Sequence, residues 1–156
     1  MPLIIPTGRL RNKPEAFNGE EPNSVLELEL GDAIRPQGPL KYGLTVQLVS
    51  GELLVKGGLE INFACRCARC GENFDKKIVI SDFFRSFSLE TQNELINLTP
   101  DVREDILLAL PMVVLCSADC RGLCPGCGAN LNREKCKCRR PPKANVWNAL
   151  DDLRLK

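Results

Sequence analysis

Hydrophobic and polar positions follow two different periods along the chain. From Val25 to Ser88 they alternate with period two, as half-buried strands do. Val25-Leu26-Glu27-Leu28-Glu29-Leu30 puts three leucines on one face and both glutamates in water, so a strand is expected there. Leu44 to Val49 and Leu53 to Val55 flank Ser50-Gly51-Glu52, where Gly51 can supply the positive φ of a tight hairpin turn. A second hairpin is expected, with arms Leu59 to Phe63 and Lys77 to Ile80, the latter running into Phe83-Phe84. Its tip carries Cys65, Cys67 and Cys70. These segments read as an antiparallel meander.

The period then lengthens. Thr99-Pro100-Asp101 offers a capping hydroxyl, a proline at the first helical position and an early acid, and the run Val102 to Leu110 stops at Pro111. Ile106, Leu107 and Leu110 are expected to face the core. A second short helix is expected from Val146 to Leu155, capped by Asn145, with Val146, Trp147, Leu150 and Leu153 at helical spacing. It is too short to stand alone, so Trp147 is expected to anchor it. Gln37-Gly38-Pro39 and Arg139-Arg140-Pro141-Pro142 read as turn or linker segments. The fold class expected is α+β: an antiparallel β-meander with one or two short helices and a Cys-rich, zinc-binding C-terminal extension.

Composition narrows the chemistry. The 156 residues, 44% hydrophobic and 26% charged, suit a globular domain that buries its own core. The longest apolar run, Ile106 to Cys116, is about half of the roughly 20 residues a helix needs to cross a bilayer, so no membrane partner is expected. The apolar patch Leu3 to Ile5 is shorter than a secretory signal wants. A cytoplasmic location is expected. There is no histidine, which excludes Ser-His-Asp and Cys-His nucleophilic sites, histidine bases and His-ligated catalytic zinc. There are nine cysteines, an odd number, and six of them crowd between Cys116 and Cys138. In a reducing compartment that pattern reads as metal ligation, against disulfides or a thioredoxin-like pair at Cys67 and Cys70, for which no βαβ pattern exists.

A frame occurs twice. Cys67-Ala68-Arg69-Cys70-Gly71-Glu72-Asn73-Phe74 and Cys124-Pro125-Gly126-Cys127-Gly128-Ala129-Asn130-Leu131 both read Cys-x-x-Cys-Gly-x-Asn-apolar. Two thiolates at this spacing grip one ion when the backbone between them turns tightly, and the following glycine lets backbone N–H groups aim at the sulfurs. Eight thiolates make two closed tetrahedral sites, hence two Zn²⁺ per chain. Cys124, Cys127, Cys136 and Cys138 close a short ring at little entropic cost. Cys67 and Cys70 then join Cys116 and Cys120, and Cys65 is spare. The alternative pairs both frames on one ion and Cys116, Cys120, Cys136 and Cys138 on another. An iron–sulfur cluster on Cys116, Cys120, Cys124 and Cys127 is the rival chemistry.

Charge collects beside the second frame, where Arg133, Lys135, Lys137, Arg139, Arg140 and Lys143 face a single acid, Glu134. Such a stripe can meet RNA phosphates; it can equally be a solvated face, or offset the negative charge of the thiolates. No aromatic residue is interleaved there to stack on bases.

The order Cys67-x-x-Cys70, Glu104-Asp105-Ile106-Leu107-Leu108-Ala109-Leu110-Pro111, Cys116-x-x-x-Cys120-Arg121-Gly122-Leu123-Cys124-Pro125-Gly126-Cys127-Gly128-Ala129-Asn130-Leu131-Asn132 and Cys136-x-Cys138 resembles the bacterial YceD family, the large ribosomal RNA subunit accumulation proteins. The resemblance runs from about Val25 onward. This chain departs in a shorter segment between Leu89 and Thr99 and in its extra Cys65. The resemblance implies a non-catalytic factor for accumulation or synthesis of large-subunit ribosomal RNA. Its partners would be ribosomal RNA or a large-subunit assembly intermediate, with a ribosomal protein also open and no small-molecule substrate. Two other functions stay open: an RNA-processing enzyme using carboxylates such as Glu104 and Asp105, and a chaperone for a ribosomal protein. Neighbouring helical residues point about 100° apart, which does not favour a paired carboxylate site. Three regions are expected: 1–24 of uncertain order, 25–120 as sheet, helix and first knuckle, and 121–156 as a zinc-ribbon-like extension.

Overall fold

The structure, a computed structural model, describes residues 2–10, 13–28, 30–89 and 94–138. Among these residues the elements in chain order are β1 (Ile4–Pro6), β2 (Glu15–Glu21), β3 (Ile34–Val49), β4 (Glu52–Arg66), β5 (Asn73–Ser88), β6 (Leu95–Asn97) and α1 (Thr99–Ala109). Strands β2 to β5 form one antiparallel sheet in sequence order, and β1 pairs with β6 in a second. The antiparallel α+β reading therefore holds. The expected helix Val146 to Leu155, with Trp147, and the segment Arg139 to Pro142 lie outside the described residues.

Both hairpins form where the alternation places them. Val49 pairs with Glu52 across Ser50 and Gly51, whose φ values of 51° and 88° are the double positive that a two-residue turn needs to match the twist of its strands. In β4 the buried row is Leu53, Val55, Leu59, Ile61, Phe63 and Cys65, with Gly57 in the same register. Cys65 thus sits on a strand, paired with Phe74 and 3% exposed, and not on the hairpin tip; its thiol continues an apolar stripe. Burial raises its pKa, as expected of an inert core thiol.

The inner face of the sheet is covered by α1, by a 3-10 turn at Asn23–Leu26 and by β1, which contribute Val102, Ile106, Leu26 and Ile5 to one core. Arg85 ties the helix to β5. Its guanidinium donates to Asp101 at 2.9 Å and Asp105 at 2.6 Å and lies over the Phe83 ring. The acid pair considered for catalysis is thereby split, since Asp105 lies 2.6 Å from the arginine while the exposed Glu104 stands 4.0 Å from it.

Four local expectations are corrected. Of the expected strand Val25 to Leu30, the described residues Val25 to Leu28 form none: the 3-10 turn ends at Glu27 in the left-handed region, φ 44°, because β2 already occupies the free edge of β3 from Glu15↔Val46 to Glu21↔Leu40. Only Leu26 of the three leucines is fully buried, with Leu28 and Leu30 packed at the margin. Gln37-Gly38-Pro39 does not end a strand but is absorbed into β3 as a bulge between Gln37↔Asn62 and Lys41↔Glu60. Thr99 does not cap its helix: its hydroxyl accepts the Leu3 N–H, fastening β1, while Asn97 Oδ1 accepts the Thr99 N–H. Leu107 faces out, and Val102 takes its place in the core. A groove of about 860 Å³ runs there, lined by Val25, Leu26, Pro100, Leu107 and Leu108 among others.

Candidate metal centre

The turn joining β4 to β5 carries the first frame. Cys67 N–H donates to Glu72 O at 2.8 Å and Gly71 N–H to Cys67 O at 2.9 Å. In the second frame Cys124 N–H donates to Ala129 O at 2.8 Å and Gly128 N–H to Cys124 O at 2.9 Å. The two loops share one hydrogen-bond pattern, position for position. Gly71 and Gly128 occupy φ of 73° and 75°, which a side chain would strain. The repeated frame is therefore a repeated structure.

Each loop meets a second pair of cysteines. Beyond α1 the chain returns beside the first turn, where Ala68 N–H donates to Val114 O and Arg69 donates to Cys120 O at 3.0 Å. This brings Cys67 Sγ within 3.8 Å of Cys120 Sγ and Cys70 Sγ within 3.7 Å of Cys116 Sγ. In the second quartet Cys136 Sγ lies 3.1 Å from Cys124 Sγ and 3.5 Å from Cys127 Sγ. Within each quartet all four sulfurs lie within 4.8 Å of one another.

A single ion bound by four thiolates at about 2.3 Å sets its sulfurs roughly 3.8 Å apart at the corners of a tetrahedron. The donor sets and spacings fit one such ion each, and each quartet can hold a metal. The grouping is Cys67, Cys70, Cys116, Cys120 and Cys124, Cys127, Cys136, Cys138, with Cys65 in neither. The structure does not bring both frames onto one centre. Nor does it gather Cys116, Cys120, Cys124 and Cys127, the set required by the iron–sulfur alternative, because the helix return carries the first two back to the hairpin.

The quartets differ in burial. Cys67, Cys70 and Cys120 are buried in the first, with Phe74 and Leu115 packed against them, whereas only Cys124 is buried in the second. Each contains a thiol with pKa held down to about 6. For Cys67 the leading cause is the backbone N–H of Cys70, and for Cys124 that of Cys127. Each also contains one pushed up to about 12: Cys116 by desolvation first, Cys138 by its hydrogen bond with Cys136 first. A thiolate is thus ready to receive a cation, and ligation would displace the protons that remain.

The basic ribbon is partly spent on the protein itself. Arg133 donates to Glu72 Oε2 at 2.6 Å, whereas Lys135 and Lys137 are exposed. Arg139, Arg140 and Lys143 lie outside the described residues. Sequence reasoning missed Glu72 and Asn132. Asn132 donates to Cys120 Sγ at 3.3 Å, and the asparagines around the second frame were the available signal.

Fold and site together define a β-sheet protein with twin four-thiol knuckles, one closing a hairpin and one closing on itself. Residues 81–154 match the profile of the family described as large ribosomal RNA subunit accumulation protein YceD. The stretch includes Cys116, Cys120 and the whole second quartet but begins after Cys67 and Cys70. A relative in Arabidopsis thaliana, "Large ribosomal RNA subunit accumulation protein YCED homolog 1, chloroplastic", is 36% identical over 59 residues, which are 38% of this chain and 18% of that protein. The chain thus spans under a fifth of the relative's length. No solved structure matches the chain. No described helix is long and apolar enough to cross a membrane.

Proposed function

We propose that this chain is a non-catalytic factor supporting accumulation of large-subunit ribosomal RNA, acting through a surface that two zinc ions hold in shape. The YceD match over residues 81–154 carries the ribosomal part of the reading, and the two thiol quartets support the metal part. Zinc suits an all-thiolate tetrahedral donor set: it is redox-silent and closes structural sites with no position left for substrate. In this role the quartets fix a surface and perform no chemistry. Reduced thiols fit the cytoplasm, where such a factor would meet nascent ribosomal RNA. Purified protein should be colourless with two zinc ions per chain by elemental analysis; visible absorption from iron, or one metal per chain, would reject zinc in both quartets.

Ribosomal RNA is the proposed partner, directly or within an assembly intermediate, and the exposed Lys135 and Lys137 are the described candidates for binding phosphate. Changing both to glutamine should weaken RNA binding and flatten its salt dependence, the slope falling by roughly 0.7 to 0.9 for each phosphate no longer neutralised. An unchanged slope would make the ribbon a solvated face, and crosslinking would then show whether a ribosomal protein is held instead. Cells depleted of the protein should show less large-subunit than small-subunit RNA, and a large-subunit deficit on a sucrose gradient. Glu104→Gln with Asp105→Asn should rescue them. Normal subunit ratios on depletion would overturn the ribosomal reading.

A further inference from the structure

A row of hydrogen bonds runs from the second knuckle onto a sulfur of the first quartet. Asn130 Nδ2 donates to Glu72 Oε1 at 3.2 Å, and Asn130 Oδ1 accepts from Asn132 Nδ2 at 3.0 Å. The same Asn132 nitrogen donates to Cys120 Sγ at 3.3 Å, while Asn132 Oδ1 accepts the Arg121 N–H at 2.8 Å. Arg133 adds its ion pair to Glu72. Everything the second knuckle offers here converges on two residues, Glu72 beside the first frame and Cys120 within the first quartet.

The donors lie on the loop between Cys127 and Cys136, inside the second ring. From Cys124 to Cys138 the chain has no helix and no strand, only the bridge Leu123↔Asn130 and turn hydrogen bonds such as Leu131 N–H to Gly122 O, and Cys136 and Cys138 meet the rest of the knuckle through their thiols. A donor to a ligating thiolate orients it and tempers its charge, and losing such a partner typically lowers metal affinity about 10- to 100-fold. Through-space electrostatics act the other way. A divalent ion on four thiolates carries a net −2, and two such centres repel. The sign of any coupling therefore separates the hydrogen-bond row from simple proximity.

We propose that Asn132 is a positioning residue that couples the two quartets: closing the second ring around its ion presents Nδ2–H to Cys120, so an ion in either quartet tightens binding in the other. This rests on the reading that both quartets bind metal. Coupling of this kind is reciprocal, so the factor must be the same in both directions.

The test uses the full chain and Co²⁺ as a coloured probe, with affinities read by chelator competition. Cys127→Ser, on the exposed rim of the second quartet, should weaken Co²⁺ in the first roughly 5- to 20-fold. Cys116→Ser should weaken the second by the same factor. Asn132→Asp keeps the acceptor for Arg121 N–H but lacks the donor; it should shift the sulfur-to-cobalt band of the first quartet and abolish any further effect of Cys127→Ser. Asn132→Ala repeats the test without the added charge. Coupling that persists in both Asn132 variants, no coupling in the parent, or tighter binding in Cys127→Ser would overturn the proposal. Wild-type protein that takes up no Co²⁺ or Zn²⁺ would instead overturn the metal reading on which it rests.

Discussion

Replacing Cys70 with serine is expected to do far more damage than replacing Cys127, although each removes one thiol from one quartet. Cys70 meets Cys116 across 46 residues and Cys67 meets Cys120 across 53, so an ion in the first quartet would fasten the β4–β5 hairpin to the chain beyond α1. Metal binding to structural thiolate sites carries apparent free energies of about 10 to 16 kcal/mol, which here would be folding energy for everything the site joins. Cys70→Ser should lower bound metal to at most one ion and strip hydrogen-exchange protection from residues 111–138. Cys127→Ser should release one ion and loosen mainly residues 121–138. In both, the sheet core around Phe63 and Phe83 should stay protected, since it contains no ligand. Equal losses in the two variants would show that the long-range fastening is carried by something other than the first quartet.

Gly57→Ala should be the most damaging single methyl in the sheet. A Cβ at Gly57 would press against the Gly43 carbonyl oxygen and stand 2.8 Å from Leu44 Cα, backbone atoms of the paired strand that cannot rotate away. The two central strands would have to part, at a cost of about 3 kcal/mol or more. Gly43→Ala, across the same ladder, meets only the side-chain oxygen of Asn18 at 3.3 Å, and should change stability by less than about 1 kcal/mol. Urea unfolding of the pair decides it: a lower midpoint at unchanged slope is expected for Gly57→Ala, and similar midpoints for both would show that the strands yield locally.

What could be read from the sequence was local. The β3–β4 hairpin announced itself through Ser50-Gly51 between two alternating runs, and the knuckles through two copies of a frame whose glycine conformation the structure repeats to within a few degrees. What could not be read depends on partners distant in the chain. Strand β2 has the polar sequence Glu15-Ala16-Phe17-Asn18-Gly19-Glu20-Glu21 and is a strand because the edge of β3 accepts it. Val25 to Leu30 has the better pattern, yet its described part, Val25 to Leu28, is shut out from that edge. β1 and β6 are three residues each and pair across some ninety positions, with Thr99 spent on β1 in place of capping its own helix. The quartet memberships followed from ring size. The hydrogen bond from Asn132 to Cys120 did not, because it needs the two knuckles side by side.

The long span of the first quartet also sets an order of events during translation. Cys67 and Cys70 leave the ribosome together, but Cys116 follows 46 residues after Cys70, roughly 2 to 9 s at ordinary synthesis rates of about 5 to 20 residues per second. In that interval both hairpins of the sheet can form while the pair of thiols at its tip holds, at best, half a coordination shell. An ion bound there would arrive at a preassembled edge. Metal uptake by the first quartet would close this fold late in its formation, so a shortage of the proposed zinc would leave a finished sheet with an unfastened tail and not an unfolded chain.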